Sequence, residues 1–178
     1  METTEKIVEA YVRYVKGWAT IPNIKCPGQL EIDLLAIDPR KHTRYHIESG
    51  VSVSGSYSKL TNQPFNPHLL KKRSDMAAQR RTLGYFVQKK FSSIEVIQTL
   101  REYGFKRGNY KKVIVTWGWK GEAKLNADKL GIELWDFRQL IAEIASTIEP
   151  NKTYFTDDTL RTLHLYVKAM PAKRLSED

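Results

Sequence analysis

The chain has 178 residues, a single cysteine and a net charge of +9 at pH 7, with 29 Lys and Arg against 20 Asp and Glu. This length suits one compact domain with its own core, and the lone Cys26 excludes an internal disulfide framework and a cysteine-rich zinc site. The basic excess favours a polyanionic partner, of which nucleic acid is the commonest. The first residues are polar and acidic, and no apolar run reaches membrane-spanning length, so we expect neither secretion nor membrane insertion but a cytoplasmic protein.

The first part of the chain is predicted to form a helix and then a strand pair. Residues 4 to about 18 carry apolar side chains at helical spacing, which predicts an amphipathic opening helix. Residues 19–29 contain two prolines and a glycine, which favour an irregular connection or a short edge strand. Residues 31–37 and 45–51 are strand-like, and the proline and charges between them predict that the two runs fold back as a hairpin.

Two acidic residues interrupt these strand-like runs. If the turn is centred between Arg40 and Lys41, Asp33 falls opposite Glu48 on one face of the hairpin. Two like charges in that position repel each other, so this register requires a cation between them. Mg²⁺ is the simplest such cation, because it prefers carboxylate oxygens. The alternative is that each carboxylate is an ordinary solvated residue on the open face of a sheet.

The middle of the chain is predicted to be a loop followed by two helices. Residues 52–67 are rich in Ser, Gly, Asn and Pro, which indicates a long exposed loop of the kind that closes over a substrate. A helical pattern runs from Leu69 to Lys90 and is strongly basic. The sequence Ser92-Ser93-Ile94-Glu95 resembles a capping box and opens a further helix that Gly104 stops.

The second half alternates between strands and helices. We predict a strand over residues 112–117, a helix over 122–130 closed by Gly131, and a second strand over 132–135. Asp136 is placed to cap a helix over 137–148. This succession implies a parallel crossover. We therefore predict one domain over residues 1–178, with a core of about 5–147 and a C-terminal helical tail at about 156–170.

This order of elements resembles the PD-(D/E)XK nuclease family, and more narrowly its Mrr-type restriction endonuclease branch. Much of the likeness lies in the C-terminal half, and it is carried by the residues Val113-Ile114-Val115-Thr116, Glu122-Ala123, Ala127, Gly131-Ile132-Glu133-Leu134-Trp135-Asp136 and Leu140. The resemblance spans roughly residues 5 to 145. It implies an α/β fold with a restriction-endonuclease-like core of the α-β-β-β-α-β type, in which helices flank a central mixed sheet, followed by a C-terminal helical extension.

The resemblance also implies a metal site. Asp33 and Glu48 match the two family carboxylates that bind Mg²⁺, for which Mn²⁺ is a plausible substitute, and the Ser49 carbonyl is a further candidate ligand. A glutamate on the first helix often supports the metal in this family, and here Glu9 is the better match and Glu5 the second. Glu9 has an alternative role as a helical ion-pair partner.

One position departs from the family pattern. The lysine expected two residues after the glutamate is Gly50, and a glycine cannot stabilise developing charge near the attacking water. Some family members supply this amine from elsewhere in the fold. Here the candidates are Lys59 in the loop and Lys89 on the basic helix, and we favour Lys89 as the catalytic amine.

Binding of nucleic acid is expected from the basic helix and from the end of the strand over residues 112–117. The phosphate-binding candidates are Arg80, Arg81, Lys89 and Lys90. Trp119 and Lys120 are candidates for contact with an exposed base, although a large aromatic residue at a strand end also suits the core or a protein partner.

These observations predict a metal-dependent nuclease that hydrolyses phosphodiester bonds, most directly a DNA endonuclease of restriction, defence or repair type. A catalytically inactive nucleic-acid-binding module of the same fold is the alternative, because the motif lysine is replaced by Gly50. A third hypothesis is that the protein is a subunit that binds a protein partner through its tryptophans. The sequence leaves open the choice between DNA and RNA, and whether two copies pair as a homodimer.

Overall fold

The computed structural model describes residues 2–52, 58–69, 73–148 and 155–170. Part of the predicted loop, 53–57, lies outside the described residues, as do Lys71 and Lys72 of the predicted basic helix. The described residues form an α/β fold around a five-stranded sheet in the order β1-β2-β3-β4-β5. The strands are β1 (Ala19–Cys26), β2 (Leu30–Asp38), β3 (Thr43–Ser49), β4 (Tyr110–Thr116) and β5 (Ile132–Asp136).

Helices cover both faces of this sheet. On the first face lie α1 (Thr3–Ala10) with its π-helical continuation Tyr11–Val15, α6 (Phe137–Ile148) and α7 (Asp158–Ala169). On the second face lie α3 (Leu83–Tyr85) with its π-helical continuation Phe86–Phe91, α4 (Ile94–Glu102) and α5 (Ala123–Lys129). A further helix, α2 (Arg73–Gln79), precedes α3, and short 3₁₀ turns occupy Pro27–Gln29 and Pro67–Leu69. Among the described residues, no helix has the length and apolarity needed to cross a membrane.

The hairpin of β2 and β3 has the predicted register. The strands are antiparallel with Leu34 opposite Ile47 and Asp38 opposite Thr43, which centres the turn between Arg40 and Lys41. The Asp38 carboxylate closes this turn by accepting a hydrogen bond from the Arg40 N–H at 2.9 Å. One pair beyond the last ladder pair, this register brings Asp33 opposite Glu48.

The other strand pairs make the sheet mixed. β1 pairs with β2 in antiparallel fashion, whereas β3 with β4 and β4 with β5 are parallel. The predicted crossover from β4 through α5 to β5 is therefore confirmed. Because β3, β4 and β5 run in the same direction, their last residues, Ser49, Thr116 and Asp136, lie along one side of the sheet, which we call the carboxyl edge.

The core has a layer on each face of the sheet. The first layer packs alternate strand residues such as Ala36, Ile47 and Val115 against α1, α6 and Leu160 of α7. Leu160 is fully buried, so the C-terminal helix that was predicted as an extension completes this layer. The second layer packs Leu35 and Ile114 against the helices of the other face.

Two regions differ in detail from the sequence-based expectation. The connection over residues 19–29 contains a full eight-residue edge strand, β1. The predicted continuous basic helix is broken after Gln79, because Thr82 forms a bridge with Thr61 and its hydroxyl caps α3 by accepting a hydrogen bond from the Tyr85 N–H at 3.1 Å. This break gives the segment Phe86–Phe91 its own direction over the sheet.

Gly50 is the position where that segment comes closest to the end of β3. A Cβ atom at Gly50 would lie 2.5 Å from Cζ of the buried Phe86 ring. We expect Gly50→Ala to lower the free energy of unfolding by about 1–3 kcal/mol, because overpacking forces the ring and its helix to move. Urea denaturation of Gly50→Ala, Phe86→Leu and the double variant measures this effect. Strictly additive losses in the double variant would contradict the contact, because a shorter side chain at position 86 should relieve the clash.

Candidate active site

A buried cluster of one amine and two carboxylates lies at the carboxyl edge, on the second face of the sheet. Lys90 Nζ lies 3.0 Å from Asp33 Oδ1 and 2.6 Å from Glu48 Oε2. The same amine donates a hydrogen bond to the Glu31 carbonyl at 2.9 Å. Lys90 thus donates hydrogen bonds to Asp33 and to the Glu31 carbonyl, and it contacts Glu48 as an ion pair. The cation required between Asp33 and Glu48 is thus provided by the protein itself.

The backbone and a histidine hold the two carboxylates in place. Asp33 Oδ2 accepts a hydrogen bond from the Ser49 N–H at 2.7 Å, across the hairpin. Glu48 Oε1 lies 2.6 Å from Nε2 of His46, which is fully buried two residues earlier on the same strand. His46 Nδ1 has no hydrogen-bond partner among the described residues. A neutral imidazole with its proton on Nε2 satisfies this geometry by donating to Glu48.

Burial sets the electrostatics of the cluster. It raises the pKa of Asp33 to about 7, assisted by the charge of Glu48, and it also raises the pKa of Glu48 to about 7 against the opposing effect of Lys90. Burial alone would lower the pKa of Lys90, but the two carboxylates hold it above its usual range. Burial lowers the pKa of His46 to about 3. Near neutral pH, therefore, Lys90 is charged, His46 is neutral, and the carboxylates are close to their titration point.

The cluster opens into a pocket of about 260 Å³. Asp33, Ser49 and Lys90 form part of its wall, whereas Glu48 is fully buried behind them. Arg80 and Arg81, which follow α2, and Glu5 of α1 contribute other parts of the wall. Carboxylates, an amine and two guanidinium groups therefore surround one opening, an arrangement that suits a phosphate ester and a divalent cation together.

The position of Lys90 at the cluster depends on how its helical segment packs against Gly50, the residue that follows β3. The Phe86 ring packs directly against Gly50, and Lys90 follows one helical turn later on the same segment. Both side chains therefore extend toward the end of β3. Lys89, the residue before Lys90, does not border the pocket of the cluster. Lys89 is exposed, with its amine 5.9 Å from the centre of the Phe65 ring.

The other residues proposed to complete the site are divided by the fold. Glu5 borders the same pocket as Asp33, whereas Glu9, the preferred match, accepts a hydrogen bond from the Thr20 hydroxyl at 3.1 Å and pairs with Arg13. Glu9 therefore takes the alternative role, that of an ion-pair partner within the helix. A hydrogen bond from Arg138 lowers the pKa of Asp136, and the charge of Lys59 adds a smaller effect in the same direction. Lys59 does not border the Asp33 pocket.

The proposed nucleic-acid contacts lie near the carboxyl edge, apart from Lys90, which is inside the cluster. Arg80 is exposed, and Arg81 is partly buried with its guanidinium donating to the Val51 carbonyl at 3.2 Å. Trp119 is half-buried against the second core layer, where it bridges to Leu60, and Lys120 beside it is exposed. The geometry thus gives Trp119 a packing role and leaves only part of its ring accessible.

The donor atoms fit a hard divalent cation. No group of three or more His, Cys, Asp or Glu side chains suited to a metal occurs within the described parts of the chain. Mg²⁺ needs fewer protein ligands than that, because it commonly binds one or two carboxylates and keeps several waters. Asp33 and Glu48 provide two carboxylates, whose oxygens also contact Lys90, His46 and the Ser49 N–H. The site therefore holds an oxygen set of the kind that Mg²⁺ or Mn²⁺ accepts.

We expect Lys90→Met to destabilise the protein in a strongly pH-dependent way. Without the amine, the folded-state pKa values of Asp33 and Glu48 rise further above their values in the unfolded chain. A raised carboxylate pKa gives stability at low pH that is lost as the pH rises through the folded-state value. The loss should therefore be small near pH 5 and reach about 3–5 kcal/mol at pH 8, as for other broken buried ion pairs.

Urea unfolding of Lys90→Met at several pH values measures this effect, and Lys89→Met is the matched control because it removes the same charge from the adjacent exposed position. Adding Asp33→Asn to Lys90→Met should restore part of the stability at pH 8. An equal loss at pH 5 and pH 8 would contradict the electrostatic origin of the effect.

No protein-family model and no curated protein sequence matches this chain. Among solved structures, the chain is similar to the crystal structure of a protein of unknown function, AF1548, with 16% sequence identity and a TM-score of 0.43. The alignment covers 93% of this chain and 96% of that chain.

Proposed function

We propose that the protein is a divalent-metal-dependent nuclease that hydrolyses phosphodiester bonds in DNA, built on a restriction-endonuclease-like core. One observation carries this proposal: the Lys90 amine lies between the Asp33 and Glu48 carboxylates, at 3.0 and 2.6 Å. The group that the motif lacks at Gly50 is thus supplied from the neighbouring helix. A carboxylate and an amine in the wall of the pocket, with a second carboxylate buried behind them, are groups that metal-assisted phosphodiester hydrolysis uses.

The metal would be held by Asp33, Glu48 and the Ser49 carbonyl. When bound, Mg²⁺ or Mn²⁺ supplies a Lewis acid for the phosphate and lowers the pKa of a coordinated water. His46 fixes the orientation of Glu48 through its contact with Oε1, which leaves Oε2 toward Lys90 and the site. An outer partner of this kind typically contributes 10- to 100-fold to metal affinity or activity.

Lys90 would act as a charged donor. Its pKa is held above the usual range, so it does not serve as a general base near neutral pH. Its N–H groups are positioned to stabilise the negative charge that develops on the phosphate oxygens or on the attacking water. Glu5, which borders the same pocket, is placed to orient a water molecule at the entrance.

The surrounding basic residues would bind the DNA backbone. Arg80 and Arg81 border the pocket of the cluster, and Lys120 projects near the same edge of the sheet. Phosphate contacts of this type give affinity and orientation but carry no sequence information. A catalytically inactive DNA-binding module is the second candidate, because Gly50 departs from the motif, and the placement of Lys90 favours the nuclease over it.

We expect wild-type protein to cut plasmid DNA with Mg²⁺ or Mn²⁺ and to be inactive in EDTA. Asp33→Asn should abolish cleavage, with a loss larger than the about 10- to 100-fold typical of an outer-shell partner. Lys90→Met should reduce the rate by about 10²- to 10³-fold, as loss of one stabilising donor does. Gel analysis of plasmid conversion measures both effects.

Asp128→Asn is the control for this assay, because Asp128 is exposed on α5 and its ion pair among the described residues is with Lys124 of the same helix. Asp33→Asn removes a like charge from the buried cluster, so the variant should stay folded. Full cleavage by Asp33→Asn would remove that residue from the mechanism. Metal-independent DNA binding with no cleavage by the wild type would favour the inactive module.

DNA binding in EDTA should weaken steeply with salt. Arg80→Gln should lower the slope of log affinity against log salt by about 0.9, the value for one lost phosphate contact on duplex DNA. Fluorescence anisotropy at four salt concentrations gives this slope. Arg13→Gln is the matched control, because Arg13 pairs with Glu9 away from the pocket. Equal slopes for Arg80→Gln and Arg13→Gln would place the DNA elsewhere.

A further inference from the structure

A pocket lined by cations lies on the same face of the sheet, near the start of β4 and away from the carboxyl edge. Its volume is about 280 Å³, and it lies between α4 and the start of β4. Its wall includes the cations Arg101, Arg107 and Lys112 and no carboxylate. We call it the Lys112 pocket. It shares no lining residue with the pocket of the cluster.

None of these three cations has an ion-pair partner among the described residues. Two other lysines near the sheet differ from Lys112 in this respect. Lys90 is balanced by two carboxylates, and Lys111 pairs with Glu133 at 3.0 Å. Arg101 and Arg107 are exposed, whereas Lys112 is half-buried. Cations that share a pocket wall without a carboxylate repel one another, and an anion would relieve this repulsion.

Lys112 is the most constrained of the three. It is half-buried, and its amine lies 5.7 Å from the centre of the Phe91 ring. Burial lowers the pKa of Lys112, and the nearby charge of Arg107 lowers it further. A half-buried charge next to a like charge costs stability in the free protein, and such a cost is characteristic of a binding site.

The shape and chemistry of the pocket favour a phosphate over a smaller anion. Two guanidinium groups and one ammonium group match the several oxygens and double charge of a phosphomonoester better than they match a singly charged ion. The Tyr110 ring, half-buried in the same wall, offers an apolar surface beside the cations for the rest of the ligand.

We propose that the Lys112 pocket binds the phosphate group of a nucleotide, either free or at the end of a nucleic-acid strand. This site is separate from the Asp33 cluster: in the β3–β4 ladder, Lys112 stands opposite His46, whereas Glu48 stands opposite Ile114, about 7 Å further along the strands. The proposal does not depend on the nuclease assignment, because no residue of the cluster takes part in it.

Calorimetric titration in EDTA tests the proposal with inorganic phosphate, adenosine 5′-monophosphate and adenosine. We expect the nucleotide to bind and adenosine not to bind. Lys112→Met should weaken phosphate binding by at least about tenfold, the effect of losing one charge-assisted hydrogen bond. Lys111→Met is the matched control, since it removes the same charge from the adjacent residue on the opposite face, and it should leave the affinity within about twofold.

Two further measurements make the test decisive. In low salt, the melting temperature of Lys112→Met should equal or exceed that of the wild type, because the variant lacks an uncompensated charge. Arg107→Gln, like Lys112→Met, should weaken nucleotide binding. If a 5′-phosphorylated oligonucleotide binds more tightly than its unphosphorylated form, the pocket binds strand ends. If the two oligonucleotides bind equally and the nucleotide binds tightly, the pocket binds free nucleotides. Absence of saturable binding by every phosphate probe, or unchanged nucleotide affinity in Lys112→Met, would overturn the proposal.

Discussion

The contact of the Lys90 ammonium with the Asp33 and Glu48 carboxylates is the interaction on which the site depends. The hairpin register brings two acids to one face of the sheet, in a place that the second core layer shields from water. Two unpaired carboxylates there would be too costly to keep ionised. A buried ion pair of this type rarely adds much stability compared with apolar residues of the same size. Its retention in the core is therefore better explained by chemistry at the site than by stabilisation of the fold.

Packing between a glycine and a phenylalanine makes this contact geometrically feasible. Gly50 has no side chain, so the Phe86 ring can lie against the end of β3, and the helical segment that follows carries Lys90 over the two acids. The break at Thr82 frees this segment from the direction of α2. Gly50 thus admits the segment that brings the Lys90 amine to the two carboxylates.

The second face of the sheet carries two lysines in opposite electrostatic situations. Lys90 is held above its usual pKa by carboxylates, whereas burial and Arg107 lower the pKa of Lys112. His46 lies between them along β3, in contact with Glu48 and opposite Lys112 in the ladder. The first lysine is neutralised within the protein, and the second is left without a counter-charge among the described residues. Together with the net charge of +9, this distribution makes the face suited to phosphates at more than one point.

The sequence by itself determined the elements whose signals are local. The turn at Asp38–Lys41 set the hairpin register, and with it the pairing of Asp33 and Glu48, because a proline and charged residues lie between two apolar runs. The alternation after Tyr110 determined the parallel crossover, because a helical pattern lies between two strand-like runs. The identity of the site lysine was decided only by the tertiary structure. The sequence pattern does not distinguish Lys89 from Lys90. The choice between them depends on where α3 begins and on how Phe86 packs against Gly50, a contact between segments more than thirty residues apart.

The choice between Glu5 and Glu9 likewise depended on the packing of α1. Helical periodicity places both glutamates on one face of the helix but does not show which turn borders the pocket.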